Sequence, residues 1–290
     1  MQDYIIFTDS SADLPIYLTK KLSVEVLPLK FTIENKTYSD NSDVSGMDMS
    51  EFYGKLRDGK ISNTSQVNPN EFVTAFSEIL GKGFDILYIC FSSALSNTYA
   101  SAKIAQDELK EKYPGREIII IDSLCASLGQ GLLVYLVIQK KLEGFNINQL
   151  KNWINSNKLY ICHWVAVDDL NYLRRGGRVS ATSAFLGNFL NIKPIIHLSE
   201  DGKLNFVTKI RGRQRSLDFL VDKMKELGTD LKEQTIFICH GDCLKEVEDL
   251  KSNIQKKLGL KNFIVNYIGP VIGSHAGPGT IAVFFIGTKR

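Results

Sequence analysis

Five short stretches hold residues that could do polar chemistry on a ligand. Phe91-Ser92-Ser93-Ala94-Leu95-Ser96-Asn97-Thr98 follows an apolar run and precedes a helical pattern, which puts three serines and a threonine at a strand-to-helix turn. A hydroxyl there can cap the helix by accepting from its first N–H groups. It can equally join those N–H groups in holding an anion. Thr64-Ser65-Gln66 adds two hydroxyls in a loop ahead of Pro69 and another helical pattern, with the same two readings open. The segment 269–280 sets four glycines and two prolines around His275. Such a backbone can serve as a tight turn between strands, or it can hold a titratable imidazole in place as a carboxylate partner. Arg174-Arg175-Gly176-Gly177-Arg178 and Arg211-Gly212-Arg213-Gln214-Arg215 are basic clusters. A solvated face is the default for both, but glycine beside arginine permits close approach, and guanidinium forks suit carboxylate or phosphate.

Other chemistries lack their signatures. There is no Gly-x-x-x-x-Gly-Lys-Ser/Thr phosphate loop, and Gly129-Gln130-Gly131 lacks the third glycine of a dinucleotide fingerprint. Cys239-His240-Gly241-Asp242-Cys243 carries metal-capable atoms without the paired short spacing of a zinc site, and is read as a strand running into a turn. A serine hydrolase needs a base beside its nucleophile and a group orienting that base. The candidate bases are His163, His197, His240 and His275, and no Gly-x-Ser-x-Gly elbow occurs. A stand-alone hydrolase or phosphotransferase, using Ser96 or Ser93 with His275, is therefore the weaker alternative to a binding protein.

The elements that must position these residues follow α/β grammar. Tyr4 to Thr8 reads as a strand running into Asp9-Ser10-Ser11, with Pro15 opening a helix. Strands are expected at 24–31, 86–91 and 118–121, and helices at 49–56, 71–80, 99–113 and 128–142. Alternation of this kind implies a mainly parallel sheet with helices on both faces. Ligands of such sheets bind beyond the carboxyl ends of the strands, where the loops after residues 8, 91 and 121 would line one rim. Beyond about residue 155 come a strand at 159–167, helical turns at 169–173 and 182–189, and strands at 192–198 and 204–210 joined by Ser199-Glu200-Asp201-Gly202, a hairpin signal. Helices at 217–227 and 244–258 alternate with strands at 235–239, 263–268 and 281–286. The expectation is two domains, 1–157 Rossmann-like and 158–290 α/β with a mixed or antiparallel sheet, sharing a ligand between them.

Composition narrows the class further. Of 290 residues, 23% are charged and 44% hydrophobic, an ordinary globular balance, and a net charge of +3 is too small to imply a nucleic-acid partner. No apolar run approaches the ~20 residues of a membrane span, and no secretory signal opens the chain. Five cysteines, an odd count with three in apolar runs, fit reduced thiols, so a cytoplasmic location is expected.

Taken in order, these segments resemble the DegV family of fatty-acid-binding proteins, which includes the fatty-acid-binding subunits of bacterial fatty acid kinase. The resemblance rests on Thr8-Asp9-Ser10-Ser11-Ala12-Asp13-Leu14, Thr64-Ser65-Gln66, Ser92-Ser93-Ala94-Leu95-Ser96-Asn97-Thr98-Tyr99 and Gly129-Gln130-Gly131. It extends to Tyr172-Leu173-Arg174-Arg175-Gly176-Gly177-Arg178 and Ser274-His275-Ala276-Gly277-Pro278-Gly279. It implies a long-chain fatty acid such as palmitate as ligand, with its carboxylate held by Thr64 and Ser96, and His275 and Arg211 in the polar network beside it; Ser93 and Ser65 stand as secondary contacts. It further implies no cofactor or metal, and a separate ATP-binding kinase subunit as partner, faced by the arginine clusters. Two departures from the family pattern are Val67-Asn68 where Pro-Ser is usual, and Asn97 where the family has glycine. Asn tolerates positive φ better than other non-glycine residues, so that turn is expected to survive.

Overall fold

Ile86 to Cys90 and Ile118 to Ile121 are runs without polar alternation, the pattern of strands covered on both faces. A computed structural model of the chain, describing residues 3–40, 46–179 and 191–290, places them side by side in one sheet. The first half of the chain runs β1 (Tyr4–Asp9), α1 (Ile16–Leu22), β2 (Glu25–Leu27), β3 (Lys30–Ile33), β4 (Lys36–Ser39), α2 (Met49–Arg57) and β5 (Ser62–Ser65). It continues with α3 (Pro69–Gly81), β6 (Asp85–Cys90), α4 (Thr98–Lys112), β7 (Ile118–Asp122), α5 (Leu128–Leu142) and α6 (Ile147–Asn157). The second half runs β8 (Ile161–Ala166), α7 (Asn171–Arg175), β9 (Ile192–Leu198), β10 (Leu204–Arg211) and α8 (Arg213–Leu227). It ends with β11 (Ile236–His240), α9 (Leu244–Leu258), β12 (Phe263–Tyr267), α10 (Pro270–Ala276) and β13 (Ile281–Ile286).

Among the described residues the strands form three sheets. The first is parallel, in the order β2-β1-β6-β7. The second is mixed, in the order β10-β9-β8-β13-β11-β12, with only β11 and β12 parallel. The chain is thus α/β with a Rossmann-like sheet and a mixed sheet, as its patterning implies. The third sheet, β4-β3-β5, is small and antiparallel. The run 24–31 is not one strand: Pro28 interrupts it, and the two pieces join different sheets because proline cannot donate to a ladder. β4 and β5 carry no clear strand signal. The β3–β4 turn uses Glu34 (φ 50°) and Asn35 (φ 61°), a left-handed pair that glycine ordinarily announces. The expected turn at 182–189 lies outside the described residues.

α5 joins the two large sheets. It packs against β6 on one side and β8, β11 and β13 on the other, and Leu128 to Val134 are all buried. A single apolar cluster consequently includes Ile6 and Leu87 from the first sheet, Leu133 and Val137 from α5, and Phe237 and Phe284 from the second. The opposite face of the mixed sheet, with Trp164, Ala166, Val283 and Phe285, packs on α8 and α9. One buried polar knot crosses this core. Asp9 accepts from Ser11, Gln130, the Tyr88 hydroxyl and the Phe91 amide, tying β1, α5 and β6 together.

Tight contact requires glycine at two turns of this frame. A Cβ at Gly129 would lie 2.0 Å from His163 Nε2, and one at Gly202 would meet Ser92 Oγ at 2.3 Å. The second contact seats the tip of the β9–β10 hairpin on the loop after β6, where the Ser92 hydroxyl donates to Gly202 O at 2.8 Å. Gly129→Ala is expected to destabilise the protein by about 1–3 kcal/mol, because α5 is enclosed and cannot shift to relieve the clash. Urea unfolding of the variant beside the parent protein measures this.

Candidate functional site

Strand alternation builds the walls of a cavity. On β8, Cys162, Trp164 and Ala166 point into the α8–α9 core, so His163 and Val165 point the other way. The same period leaves Ile196 and Leu198 of β9, and Ala282 and Phe284 of β13, on that inner side. With Leu95, Leu173, Leu204, Val271 and Ile272 they line a cavity of about 340 Å³ between the mixed sheet, α10 and the loops at the carboxyl ends of the parallel strands. Its polar lining includes Thr64, Ser65, Gln66, Ser96, Arg178 and His275.

Thr64 and Ser96, distant in sequence, thus border one space. Thr64 stands on β5 rather than in a loop. Ser62-Asn63-Thr64-Ser65 has no apolar alternation and is a strand only because β3 pairs with it, Phe31 opposite Thr64 and Ile33 opposite Ser62. Ser62 and Thr64 share one face of that strand and meet α10: Ser274 Oγ donates to Ser62 Oγ at 2.7 Å, and Thr64 Oγ1 lies 2.8 Å from His275 Nε2. The glycine- and proline-rich segment is itself a short helix, with Pro270 in its first turn and Gly277 (φ 80°) beyond its last. The imidazole is packed from behind by Gly176, where a Cβ would lie 2.1 Å from His275 Nδ1.

Burial, and secondarily the Arg178 charge, pushes His275 down to about 4, so the ring is neutral at physiological pH. With the ring proton on Nε2, Nε2–H donates to Thr64 Oγ1 and leaves the threonine hydroxyl proton for an acceptor in the cavity. Ser96 has the same backing. Its Oγ accepts from the Thr98 amide at 3.2 Å and lies 2.9 Å from Thr98 Oγ1, so with the Thr98 hydroxyl donating, Ser96 also has a proton to offer.

The remaining expected residues separate. Ser65 lines the cavity from the outward face of β5. Ser93 is exposed and absent from the lining; its amide donates to Asp122 Oδ1. Arg211 ends β10 on its exposed side and does not line the cavity either. The cation at the site is Arg178, whose guanidinium donates to Leu95 O at 3.2 Å and to Gly176 O, joining the arginine-glycine turn to the serine loop. Its cluster was legible in the sequence, but nothing local says which arginine turns inward. Asn97 adopts φ −78°, so the position requires no left-handed conformation and the Asn-for-Gly departure costs nothing there. His240 packs against the Tyr267 ring at a tilt of 46°, and among the described residues no group of three or more metal-ligating side chains is assembled.

The family model described as an uncharacterised protein of the DegV family matches residues 4–288. The chain belongs to the DegV family. A DegV domain-containing protein of Clostridium perfringens is 46% identical over 290 residues, covering 100% of this chain and 99% of that one. A Thermus thermophilus DegV family protein, solved in connection with fatty acid binding, superposes with a TM-score of 0.88 at 28% identity, covering 99% of this chain and 100% of that chain. A fatty acid binding DegV family protein of Streptococcus agalactiae gives 0.86 at 28% identity, with both chains covered fully (100%). Among the described residues no helix is long and apolar enough to cross a membrane.

The depressed His275 pKa has a stability consequence of definite sign. Below pH 6.5 the unfolded chain takes up a proton that the folded ring refuses until about pH 4, so this term is fully present above 6.5 and lost as pH falls towards 4. Against His275→Gln, the parent protein is expected to lose on the order of 2 kcal/mol more stability across that window. Urea midpoints of both proteins at its two ends test the difference.

Proposed function

We propose that this DegV family protein binds a long-chain fatty acid, its hydrocarbon tail in the cavity and its carboxylate accepting hydrogen bonds from Thr64 and Ser96. The observation that carries this reading is an apolar cavity with two hydroxyls at its polar end, each in hydrogen-bond contact with a group behind it that can donate, His275 for Thr64 and Thr98 for Ser96. Family membership, and the fatty acid binding of the Thermus and Streptococcus relatives, support it. Each buried methylene contributes about 0.8 kcal/mol, so a long tail supplies on the order of 10 kcal/mol before ordering costs. A carboxylate taken out of water needs its hydration replaced. The two hydroxyls do this, with Arg178 as the nearby charge.

The site reads as binding machinery rather than a hydrolase. His275 Nε2 is hydrogen-bonded to Thr64, not to a serine, and Ser96 is engaged with Thr98. We further propose that the carboxylate is presented to a separate ATP-dependent kinase for acyl-phosphate formation. A second recess, of about 360 Å³, supports this. It shares Thr64, Arg178 and His275 with the lipid cavity and adds Tyr172 and Arg175, so the acid group has an approach from a side other than the tail.

Thr64→Val and Ser96→Ala are each expected to weaken fatty acid binding by about 1.5–3 kcal/mol, roughly ten- to a hundredfold, with the fold unchanged. Calorimetric titration of delipidated protein with palmitate measures this; unaltered affinity in both variants would refute the carboxylate assignment. The kinase step is tested by incubating loaded protein, ATP and a candidate kinase subunit and trapping acyl-phosphate with hydroxylamine. Hydroxamate that depends on all three components is the expected result.

A further inference from the structure

Pairing across the mixed sheet sorts the residues on its inner face into rows. Cys239, Ala282, Val165 and Ile196 stand side by side on β11, β13, β8 and β9, and two residues further along Phe237, Phe284 and His163 form the next row. The first row is small or aliphatic, and the second presents three rings. The polar end of the cavity lies on the other side of the first row. There Thr280, opposite Val167 in the same register, donates to Ala276 O beside His275. At about 3.3 Å per residue, the ring row stands about 13 Å beyond that level.

Two of these rings, His163 and Phe284, line the cavity and are held in place. They meet edge to face, with centroids 5.2 Å apart and planes at 89°. His163 Nε2 accepts from the Ala126 amide at 3.3 Å, so the ring proton is on Nδ1, which lies 2.9 Å from Ile161 O. Burial pushes this imidazole well below its ordinary pKa, in keeping with a neutral ring whose two nitrogens are both engaged. Gly129 of α5 packs against it so closely that a Cβ there would lie 2.0 Å from Nε2. Behind the rings α5 fills the gap between the two large sheets. Tyr135 packs on Phe237 at 5.6 Å, and Leu133 and Val137 share one buried cluster with Phe237 and Phe284.

We propose that the His163–Phe284 pair is the floor of the acyl pocket, where the terminal methyl stops, and that it sets the longest fatty acid the protein accepts. The inference rests on the fatty acid reading above and adds a limit on chain length to it. A tail that starts at Thr64 and Ser96 and lies along Val165 and Ala282 runs straight at the two rings. Neither ring can turn aside, because His163 is fixed by Gly129 and two hydrogen bonds and Phe284 is packed against His163 and α5.

The test titrates the delipidated full chain by calorimetry with saturated fatty acids of every length from octanoate to eicosanoate. In the parent protein, affinity is expected to rise about fourfold with each added methylene and to stop rising at one length. In Phe284→Ala that limit is expected to move to longer acids, which bind about tenfold more tightly than to the parent just beyond the parent's limit. Acids short of the limit keep their parent affinity. Phe284→Leu, which leaves a smaller gap, serves if the alanine variant does not fold, and moves the limit by about one methylene. A limit unchanged in the folded variant, or an equal change in affinity at every length, would overturn the floor while leaving fatty acid binding intact. Failure of the parent protein to bind any of the acids would overturn both.

Discussion

The hydrogen bond between Thr64 and His275 joins residues 211 positions apart, and much of the site follows from what is needed to make it. A hydroxyl that must donate into a cavity needs its own acceptor capacity met from behind, or it will turn its proton elsewhere. That demand puts a neutral imidazole on a rigid helical turn and requires glycine at position 176 for the ring to fit. It also puts threonine on a strand anchored by β3. Ser274 and Ser62, one position away on α10 and two on β5, add a second cross-link, so β5 and α10 are held at two points rather than one. Ser96 answers the requirement locally, from the first turn of α4, and so needs no long-range partner.

The frame that holds these pieces is one apolar body wrapped around α5. A helix buried on both sides transmits position from one sheet to the other, because neither sheet can move without opening a void in the shared cluster. The polar groups inside it are almost all satisfied, Asp9 most completely. Asp40 is the exception among the buried aspartates, its Oδ2 lacking a hydrogen-bond partner. The cavity bordered by Thr64 and Ser96 and a separate, aspartate-lined cavity flank the same short helix, α10, one along its inner face and the other at its first turn.

Much of the fold was legible in the sequence because its signals are strong and local. Unbroken apolar runs marked the central parallel strands, helical spacing marked α3, α4, α5, α8 and α9, and Asp201-Gly202 marked the β9–β10 hairpin. The misses have specific causes. Pro28 ought to have divided the run at 24–31. β4 and β5 are polar strands that exist through pairing with β3, and the Glu34–Asn35 turn takes left-handed angles without a glycine. The segment around His275, rich in helix-breaking residues, is nonetheless a helix, because its proline falls in the first turn and its left-handed glycine just past the last, the two places where they are tolerated.

By itself the sequence determined the α/β class, the hydroxyl-bearing loops, the singular histidine segment and the family, because each depends on neighbours along the chain or on motifs short enough to read there. Only the tertiary structure decided that Arg178 rather than Arg211 lines the cavity and that Ser93 stands outside its lining. It alone decided that Thr64 and His275 are hydrogen-bonded. Those are relations between segments separated by up to most of the chain. Side-chain direction at the end of a strand or in a glycine turn is set by what packs against it, and local sequence does not carry that information.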